Sequence, residues 1–256
     1  MVLCIDVGNT SLHGGVYKEG QLILQFRKTS RQQFSSDEFG IFLRSVLREN
    51  ELNYMDIREI SLCSVVPDMI HSIRSGIMKY FKIEPFILRV GVKTGLKIKY
   101  RNPLEVGADR IANAIAATHF FPDQNLIIVD FGTATTFCVV SKQKEYLGGI
   151  IISGIRISME SLVRETAMLP KVEIREATQV IGKSTAESIQ SGLYFGQIGI
   201  VKEVVAKATA EAFDEPPLII GTGGFSSLFE SAGLFNYIIP TLVLDGLFMV
   251  LQINKS

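Results

Sequence analysis

The sequence predicts an α/β protein built from two similar lobes, each with a mixed β-sheet flanked by helices. Strand-like runs alternate with helical patterns twice over, and one short motif occurs once in each half of the chain. The chain has 256 residues, of which 47% are hydrophobic, so a sizeable core can form. We place the boundary between the lobes after residue 115, which gives lobes of residues 1–115 and 116–256.

Short apolar and β-branched runs predict the strands, and apolar residues at helical spacing predict the helices. The predicted strands are Val2–Asp6, Gly14–Tyr17, Leu22–Arg27, Ile60–Val65, Phe86–Val90, Leu126–Asp130, Thr136–Ser141, Tyr146–Ile152, Leu218–Gly221 and Ile238–Leu244. Helices are predicted over Ser36–Glu49 and Ala108–Phe121, and one or two helices over Ser184–Ala212.

The amino-acid composition limits the classes of binding partner and the cellular compartment that the sequence predicts. The 26 basic residues equal the 26 acidic residues, so nothing indicates a nucleic-acid or anionic-membrane partner. Asp6 interrupts the first apolar residues, so we expect no secretory leader, and no charge-free apolar run reaches the ~18 residues of a membrane span. Cys4, Cys63 and Cys138 are widely spaced, which favours buried thiols in a reducing cytoplasm.

The repeated motif is an Asp-x-Gly turn between two strands. Asp6-Val7-Gly8 precedes one predicted strand, and Asp130-Phe131-Gly132 precedes another. Glycine lets the backbone approach a ligand and present N–H groups to phosphate oxygens, and a strand-end Asp can hold a cation. Two such hairpins together predict a clamp on a polyphosphate. A third glycine-rich turn, Gly221–Gly224, follows a strand and is expected to pass beside the adenosine.

The motifs resemble those of a known family. The hairpin pair and the late glycine turn resemble the superfamily of acetate and sugar kinases, actin and heat-shock chaperones. The narrower resemblance is to type III pantothenate kinases. The motifs that carry it are Asp6–Thr10, Tyr100–Pro103, Gly107–Arg110, Asp130–Thr136 and Gly148-Gly149, in the family's order.

That resemblance implies actin-like, ribonuclease H-like lobes with an ATP cleft between them. It implies the first step of coenzyme A biosynthesis, in which ATP phosphorylates the primary hydroxyl of pantothenate to give 4'-phosphopantothenate. It also implies Mg²⁺, a monovalent cation (K⁺ or NH₄⁺), and a homodimer with the site near the subunit interface.

The resemblance assigns site residues motif by motif. ATP would be bound by Thr133 and by the first hairpin, which comprises Asp6, Val7, Gly8, Asn9, Thr10, Ser11, Leu12 and His13. Asp6 would lie near magnesium, and Asp130 would hold the monovalent cation. Pantothenate would be bound by Tyr100, Gly107, Ala108, Asp109, Arg110 and Thr185, with Asp109 as the general base. Thr185 would come from the same chain or from the partner chain, because the implied site is near the subunit interface. Ser153 stands where the family usually has Pro, which leaves the shape of that loop open.

The residues themselves allow plainer interpretations. An Asp in the first turn of a helix, such as Asp109, stabilises the helix dipole without any catalytic role. Arg110 offers a planar fork to a carboxylate or a phosphate, and Glu105 is the next carboxylate to consider as a base. His13, His71 and His119 lack metal-ligand spacing.

Other functions remain open at this stage. Asp130-Phe131-Gly132 also spells the protein-kinase magnesium motif, but the accompanying kinase motifs are missing from the sequence. The stretch from Ala177 to Ser184 only approximates a P-loop, and Lys183–Thr185 more readily begins a helix. The alternatives to a kinase are a nucleotide-dependent regulatory or assembly protein, and a phosphohydrolase in which water replaces the alcohol.

Overall fold

A computed structural model describes residues 1–30 and 34–255 of the chain. The chain folds into two compact units. The first comprises residues 1–95, 102–116 and the segment from Val243 onward, and the second comprises residues 96–101 and 117–242. These units differ from the predicted contiguous lobes of residues 1–115 and 116–256, because the C-terminal segment packs with the first unit.

The first unit is built on a five-stranded mixed sheet. Its strands are β1 (Val2–Val7), β2 (Ser11–Lys18), β3 (Gln21–Thr29), β4 (Glu59–Ser64) and β5 (Phe86–Ile87), in the order β3-β2-β1-β4-β5. Its helices are α1 (Ser36–Glu49), α2 (Pro67–Phe81), the start of α3 (Ala108–Phe120) and α6 (Leu242–Ile253). Strand β1 pairs antiparallel with β2 and parallel with β4.

One face of this sheet packs against α1 and α2. Successive side chains of a strand point to opposite faces, so alternate residues of β1 share a face. Leu3, Ile5 and Val7 are fully buried in a cluster with apolar side chains of α1 and α2, including Phe39 and Ile73. This cluster is the core of the first unit.

The opposite face packs against α6 and carries polar groups. The Ser61 hydroxyl donates to the Leu247 carbonyl oxygen at 2.9 Å, and the Tyr17 hydroxyl donates to the Asp245 carboxylate at 2.6 Å. By the alternation of β1, Asp6 lies on this face rather than in the apolar core. The sheet therefore presents a predicted site residue on its polar side.

The second unit is built on a six-stranded mixed sheet. Its strands are β6 (Lys97–Ile98), β7 (Leu126–Phe131), β8 (Ala134–Val140), β9 (Glu145–Ser153), β10 (Leu218–Thr222) and β11 (Tyr237–Ile238), in the order β11-β10-β7-β8-β9-β6. Helices α4 (Ile155–Glu165) and α5 (Thr185–Ala212) follow β9. Tyr194 and Val201 of α5 pack with Phe131, Phe137 and Phe229 in the core of this unit.

The two sheets share one topology. In each, a central strand pairs antiparallel with the next strand, which pairs antiparallel with a third, and the central strand also pairs parallel with a later strand. The series β3-β2-β1-β4 in the first sheet thus corresponds to β9-β8-β7-β10 in the second. The duplication predicted from the repeated motif is confirmed.

Most predicted elements agree with the structure, and one prediction is wrong. Of the predicted strand Ile238–Leu244, only Ile238 belongs to a strand, and α6 begins at Leu242. Helix α6 is apolar on nearly all sides and its leucines are buried, so its sequence has no helical period to distinguish it from a strand. Helices α2 and α4 are not among the predicted helices.

We predict that Gly246→Ala destabilises the first unit. Gly246 of α6 packs directly on α3, and a Cβ there would lie 1.9 Å from the Ala112 carbonyl oxygen. The two helices would have to separate, which costs about 1–3 kcal/mol for overpacking. A thermal unfolding midpoint lower by several degrees is the expected result.

Gly199→Ala is the matched control, since it adds the same methyl group to α5 where no heavy atom lies within 4 Å. In an exposed helix this change gains up to about 1 kcal/mol. Equal unfolding temperatures for the two variants would contradict the close packing of α6 on α3.

Candidate active site

The first Asp-containing turn joins β1 to β2 and is held in shape by a residue from outside the motif. Within the turn, the Gly8 N–H donates to the Ser11 carbonyl oxygen at 3.1 Å. The Ser30 hydroxyl donates to the Gly8 carbonyl oxygen at 2.6 Å, and the Ser30 N–H donates to the Thr10 carbonyl oxygen at 3.1 Å. Ser30 therefore supports the backbone that is predicted to bind phosphate, and no sequence motif indicates it.

The predicted nucleotide-binding residues of this hairpin differ in exposure. Asn9 is exposed, Asp6, Gly8, Thr10 and Ser11 are partly buried, and Val7, Leu12 and His13 are buried. Burial and the Arg27 charge lower the pKa of His13 to about 4, against a hydrogen bond with Gln25, so the imidazole is neutral at physiological pH. A ligand contact by the three buried residues would use their backbone groups.

A buried thiol links the first hairpin to the start of α3. Cys63 of β4 lies opposite Asp6 in the parallel pairing with β1, and its Sγ donates to Asp6 Oδ1 at 3.2 Å. Burial raises the pKa of Cys63, and the charges of Asp6 and Asp109 raise it further. Two predicted site carboxylates that are far apart in sequence thus lie within electrostatic reach of one side chain.

A hydrogen-bonded turn precedes α3. The Asn102 side chain accepts from the Leu104 N–H at 3.2 Å and donates to the Glu105 carboxylate at 2.9 Å. The guanidinium of Arg110, which is buried, donates to the Glu105 carbonyl oxygen at 3.2 Å. Glu105 is exposed and serves this turn, which weakens the case for it as a base.

Asp109 lies in the first turn of α3, folded back over Gly107. A Cβ at Gly107 would lie 2.4 Å from Asp109 Oδ1, so glycine leaves room for the carboxylate in its present orientation. Burial raises the pKa of Asp109, against a hydrogen bond from the Arg110 N–H at 2.8 Å and the Arg110 charge. A carboxylate with a raised pKa is a better proton acceptor near neutral pH than an ordinary aspartate.

The second Asp-containing turn joins β7 to β8. The Gly132 N–H donates to the Ala134 carbonyl oxygen at 3.1 Å, the counterpart of the bond in the first turn. Thr222 of β10 lies opposite Asp130, and Gly223 has φ +90°. A Cβ at Gly223 would lie 2.2 Å from Asp130 Oδ1. The glycine-rich turn that the sequence predicted beside the adenosine therefore lies against the Asp130 carboxylate.

The loop that carries Ser153 instead of the family's usual proline packs on the same turn. Ser153 ends β9, and its hydroxyl lies 3.0 Å from the Ser158 hydroxyl in the first turn of α4. A Cβ at Gly154 would lie 2.3 Å from the Thr133 carbonyl oxygen. The second hairpin and the start of α4 are therefore in backbone contact without the proline.

Gln197 of α5 also supports the second hairpin. Its side-chain amide donates to the Thr135 hydroxyl oxygen at 2.7 Å, and both side chains are buried. Sequence reasoning missed Gln197, because one polar residue among the many along a long helix has no pattern that identifies its partner.

The remaining predicted pantothenate residues lie in the second unit. Tyr100 is partly buried just after β6, with its ring centroid 6.3 Å from that of Tyr146. Thr185 is exposed at the first position of α5, directly after the N-cap Ser184. The structure thus places Asp6 and Asp109 in the same unit, and it brings Asp130 and Gly223 close together in the second unit.

The donor chemistry of both hairpins fits cations. Within residues 1–30 and 34–255 no group of three or more His, Cys, Asp or Glu side chains is arranged around a metal position. Mg²⁺ bound with a nucleotide needs only one or two protein carboxylates, because phosphates and waters complete its shell, so Asp6 is sufficient. At Asp130 a carboxylate is approached closely by backbone at Gly223, which suits a cation that prefers oxygen ligands.

A cavity of about 370 Å³ lies in the second unit, between β8, β9 and the C-terminal half of α5. Gly148 and Gly149 border it, together with Glu203, Lys207 and Glu211. Its volume is in the range of ligand sites, but its lining includes none of the residues predicted to bind ATP or pantothenate.

Among the helices of the described residues, none is both long and apolar enough to span a bilayer.

Solved structures with low sequence identity share the fold. A candidate 2-dehydro-3-deoxygalactonokinase from Sinorhizobium meliloti has a TM-score of 0.64 at 13% identity, covering 99% of this chain and 96% of that chain. A candidate Baf family transcriptional activator from Campylobacter jejuni has a TM-score of 0.58 at 18% identity, covering 99% and 98%. The fold class is confirmed as α/β with duplicated actin-like lobes, each a mixed sheet flanked by helices.

Relatives at much higher identity identify the family. A type III pantothenate kinase from Legionella pneumophila (strain Corby) is 55% identical over 257 residues, covering 100% of both chains. The type III pantothenate kinase of Elusimicrobium minutum is 47% identical, again covering 100% of both. A family model described as type III pantothenate kinase matches residues 2–207. The chain therefore belongs to the type III pantothenate kinase family.

Proposed function

We propose that this chain transfers the terminal phosphate of ATP to the primary hydroxyl of pantothenate, giving 4'-phosphopantothenate for coenzyme A biosynthesis. The observation that carries the proposal is that Asp6 accepts a hydrogen bond from the buried thiol of Cys63, on which the charge of Asp109 also acts. One carboxylate belongs to a phosphate-type hairpin, and the other has a raised pKa at the start of a helix. Phosphoryl transfer to an alcohol requires these two functions, charge neutralisation and proton acceptance.

The first hairpin would bind the nucleotide phosphates. The turn at Asn9 and Thr10 would present its N–H groups to phosphate oxygens, and Ser30 holds the backbone of this turn. Asp6 would hold the divalent metal that accompanies ATP, and we propose that this metal is Mg²⁺. When bound, the metal neutralises charge on the phosphate oxygens. Thr133 of the second hairpin would add a further contact.

Asp109 would orient the acceptor hydroxyl and accept its proton. Its partial burial keeps competing water away, and its raised pKa strengthens it as a base. Arg110, held by the Glu105 carbonyl oxygen, would present its guanidinium fork to the pantothenate carboxylate or to a phosphate. Gly107, Ala108, Tyr100 and Thr185 would complete the pantothenate site.

We further propose that Asp130 holds K⁺ or NH₄⁺, since the glycine at position 223 brings backbone against its carboxylate.

We also propose a cytoplasmic homodimer. The segment before α5 exposes large apolar side chains, Met168 by 90%, Ile181 by 80% and Val180 by 66%, which is typical of a surface that another chain covers. A light-scattering mass equal to one chain, 28.3 kDa, would contradict the dimer.

A coupled assay for ADP, run with and without pantothenate, tests the proposed function. We expect ADP release that depends on pantothenate and matches the 4'-phosphopantothenate formed. ADP release that ignores pantothenate would support the phosphohydrolase or the nucleotide switch instead and would reject the kinase.

We predict that Asp109→Asn lowers turnover by at least ~10²-fold, the low end of a general-base contribution. The affinity for ATP should not change, because the amide keeps the shape of the carboxylate. In the wild type, turnover should fall as the pH falls through the raised pKa of Asp109, at a higher pH than for an ordinary aspartate. Steady-state kinetics across pH 4–8 measure both effects.

Asp68→Asn is the control, because Asp68 is an exposed carboxylate in the first turn of α2, where its charge favours the helix dipole. Thermal unfolding provides a second check. The raised pKa of Asp109 means that its ionised form opposes folding, and this cost disappears as the pH falls through that pKa. Asp109→Asn should therefore be at least as stable as the wild type at pH 7. Normal turnover in this folded variant would exclude Asp109 as the base.

We predict that Asp130→Ala abolishes the stimulation of turnover by K⁺ or NH₄⁺. The variant loses the carboxylate that would bind the cation, so turnover should become independent of the added chloride salt. Asp214→Ala removes an exposed negative charge from the same unit and should keep the stimulation. Persistent stimulation in Asp130→Ala would place the cation elsewhere.

A further inference from the structure

Cys63 contacts the Asp6 carboxylate, and the proposed phosphoryl transfer assigns no role to this contact. It is fully buried near the carboxyl end of β4, on the polar face of the first sheet, and its Sγ lies 3.2 Å from Asp6 Oδ1. The contact follows from the backbone, because residues 63 and 6 are directly opposite in the parallel pairing of β4 with β1. The orientation of the Asp6 carboxylate is therefore linked to a second strand.

The thiol can act only as a donor in this position. The Sγ–H group faces Asp6 Oδ1 at 3.2 Å, the geometry of a thiol that donates to a carboxylate oxygen. A charged thiolate would repel both carboxylates, and an aliphatic side chain would leave Oδ1 without this donor. Cysteine packs as a small hydrophobic side chain in a buried position and still donates a hydrogen bond.

Ser61 and Cys63 both belong to β4, and comparing their hydrogen-bond partners shows how the contact of Cys63 with Asp6 differs from packing between structural elements. Ser61, two residues earlier on the same face, donates to a main-chain oxygen of α6 and so joins two structural elements. Cys63 instead donates to a side chain that is predicted to meet the metal–nucleotide complex. The two side chains share a strand and a face, but they serve different partners.

We propose that Cys63 is a positioning residue that holds the Asp6 carboxylate in the orientation that receives the magnesium complex of ATP. This inference deepens the proposed function and depends on it for the role of Asp6. A hydrogen bond to one carboxylate oxygen restricts rotation about the Cβ–Cγ bond of Asp6, so less rotational freedom is lost when the metal binds. The benefit should appear only for the metal-bound nucleotide, since metal-free ATP does not need this carboxylate.

The test measures binding rather than turnover. Titration calorimetry on the full chain gives the affinity for ATP with excess Mg²⁺ and, separately, with EDTA. We expect Cys63→Ala to weaken binding of the magnesium complex about tenfold, near the low end for one lost hydrogen bond to a charged group, because the thiol is a weak donor. Binding of metal-free ATP should stay within about twofold of the wild type on the same reasoning.

Two further variants distinguish positioning from stability. Cys63→Ser keeps a donor and should restore most of the affinity for the magnesium complex. Cys4→Ala removes another fully buried thiol from the same sheet, on β1, and should bind both forms of ATP as the wild type does. Thermal unfolding of each variant confirms that the chain is folded under the conditions of the titration.

The outcomes separate this inference from the proposed function. Equal losses for metal-bound and metal-free ATP in Cys63→Ala would reduce Cys63 to a packing role and overturn the inference. Unchanged affinity for the magnesium complex, or no effect of Mg²⁺ on the wild type, would also overturn it. A selective loss in a chain that does not phosphorylate pantothenate would reject pantothenate as the acceptor, while the role of Asp6 at the metal and the inference built on it would stand.

Discussion

Parallel pairing beside each hairpin is the interaction on which the candidate site depends. Strand β1 pairs with β4, and β7 pairs with β10. The carboxyl end of a second strand therefore lies beside each Asp-containing turn. Parallel strands end at the same edge of a sheet, and the residue opposite each aspartate therefore comes from a distant part of the chain. Cys63 lies opposite Asp6, and Thr222 lies opposite Asp130. The duplicated topology thus gives both carboxylates a similar backbone setting with different neighbours.

Asp109 combines a favourable and an unfavourable interaction. The N–H and the charge of Arg110 favour its ionised form, but burial opposes ionisation more strongly and the pKa is raised. A fully exposed aspartate would be a weaker base, and a fully buried one would remain protonated. The absence of a side chain at Gly107 lets the carboxylate fold back over the main chain. Packing at the start of α3 therefore raises the pKa of this carboxyl group and makes its ionised form cost stability.

Local patterns predict much of the fold, and they fail where burial removes the pattern. The strands of both hairpins and helices α1, α3 and α5 follow from apolar runs and spacing, with differences of a few residues at their ends. Helix α6 is buried on nearly all sides, so its apolar run resembles a strand. Its place in the first unit depends on contacts such as Tyr17 with Asp245, which join residues at opposite ends of the chain.

The sequence by itself determined the duplicated Asp-x-Gly turns, the carboxylate at the start of a helix and the fold class, because these depend on residues that are close together along the chain. Only the tertiary structure decided which side chains support them. Ser30 on the first turn, Gln197 on the second and Cys63 on Asp6 are isolated residues without a motif. Strand register and helix packing bring each of them to its partner, and burial, which shifts the pKa of Asp109, arises only when distant segments pack together.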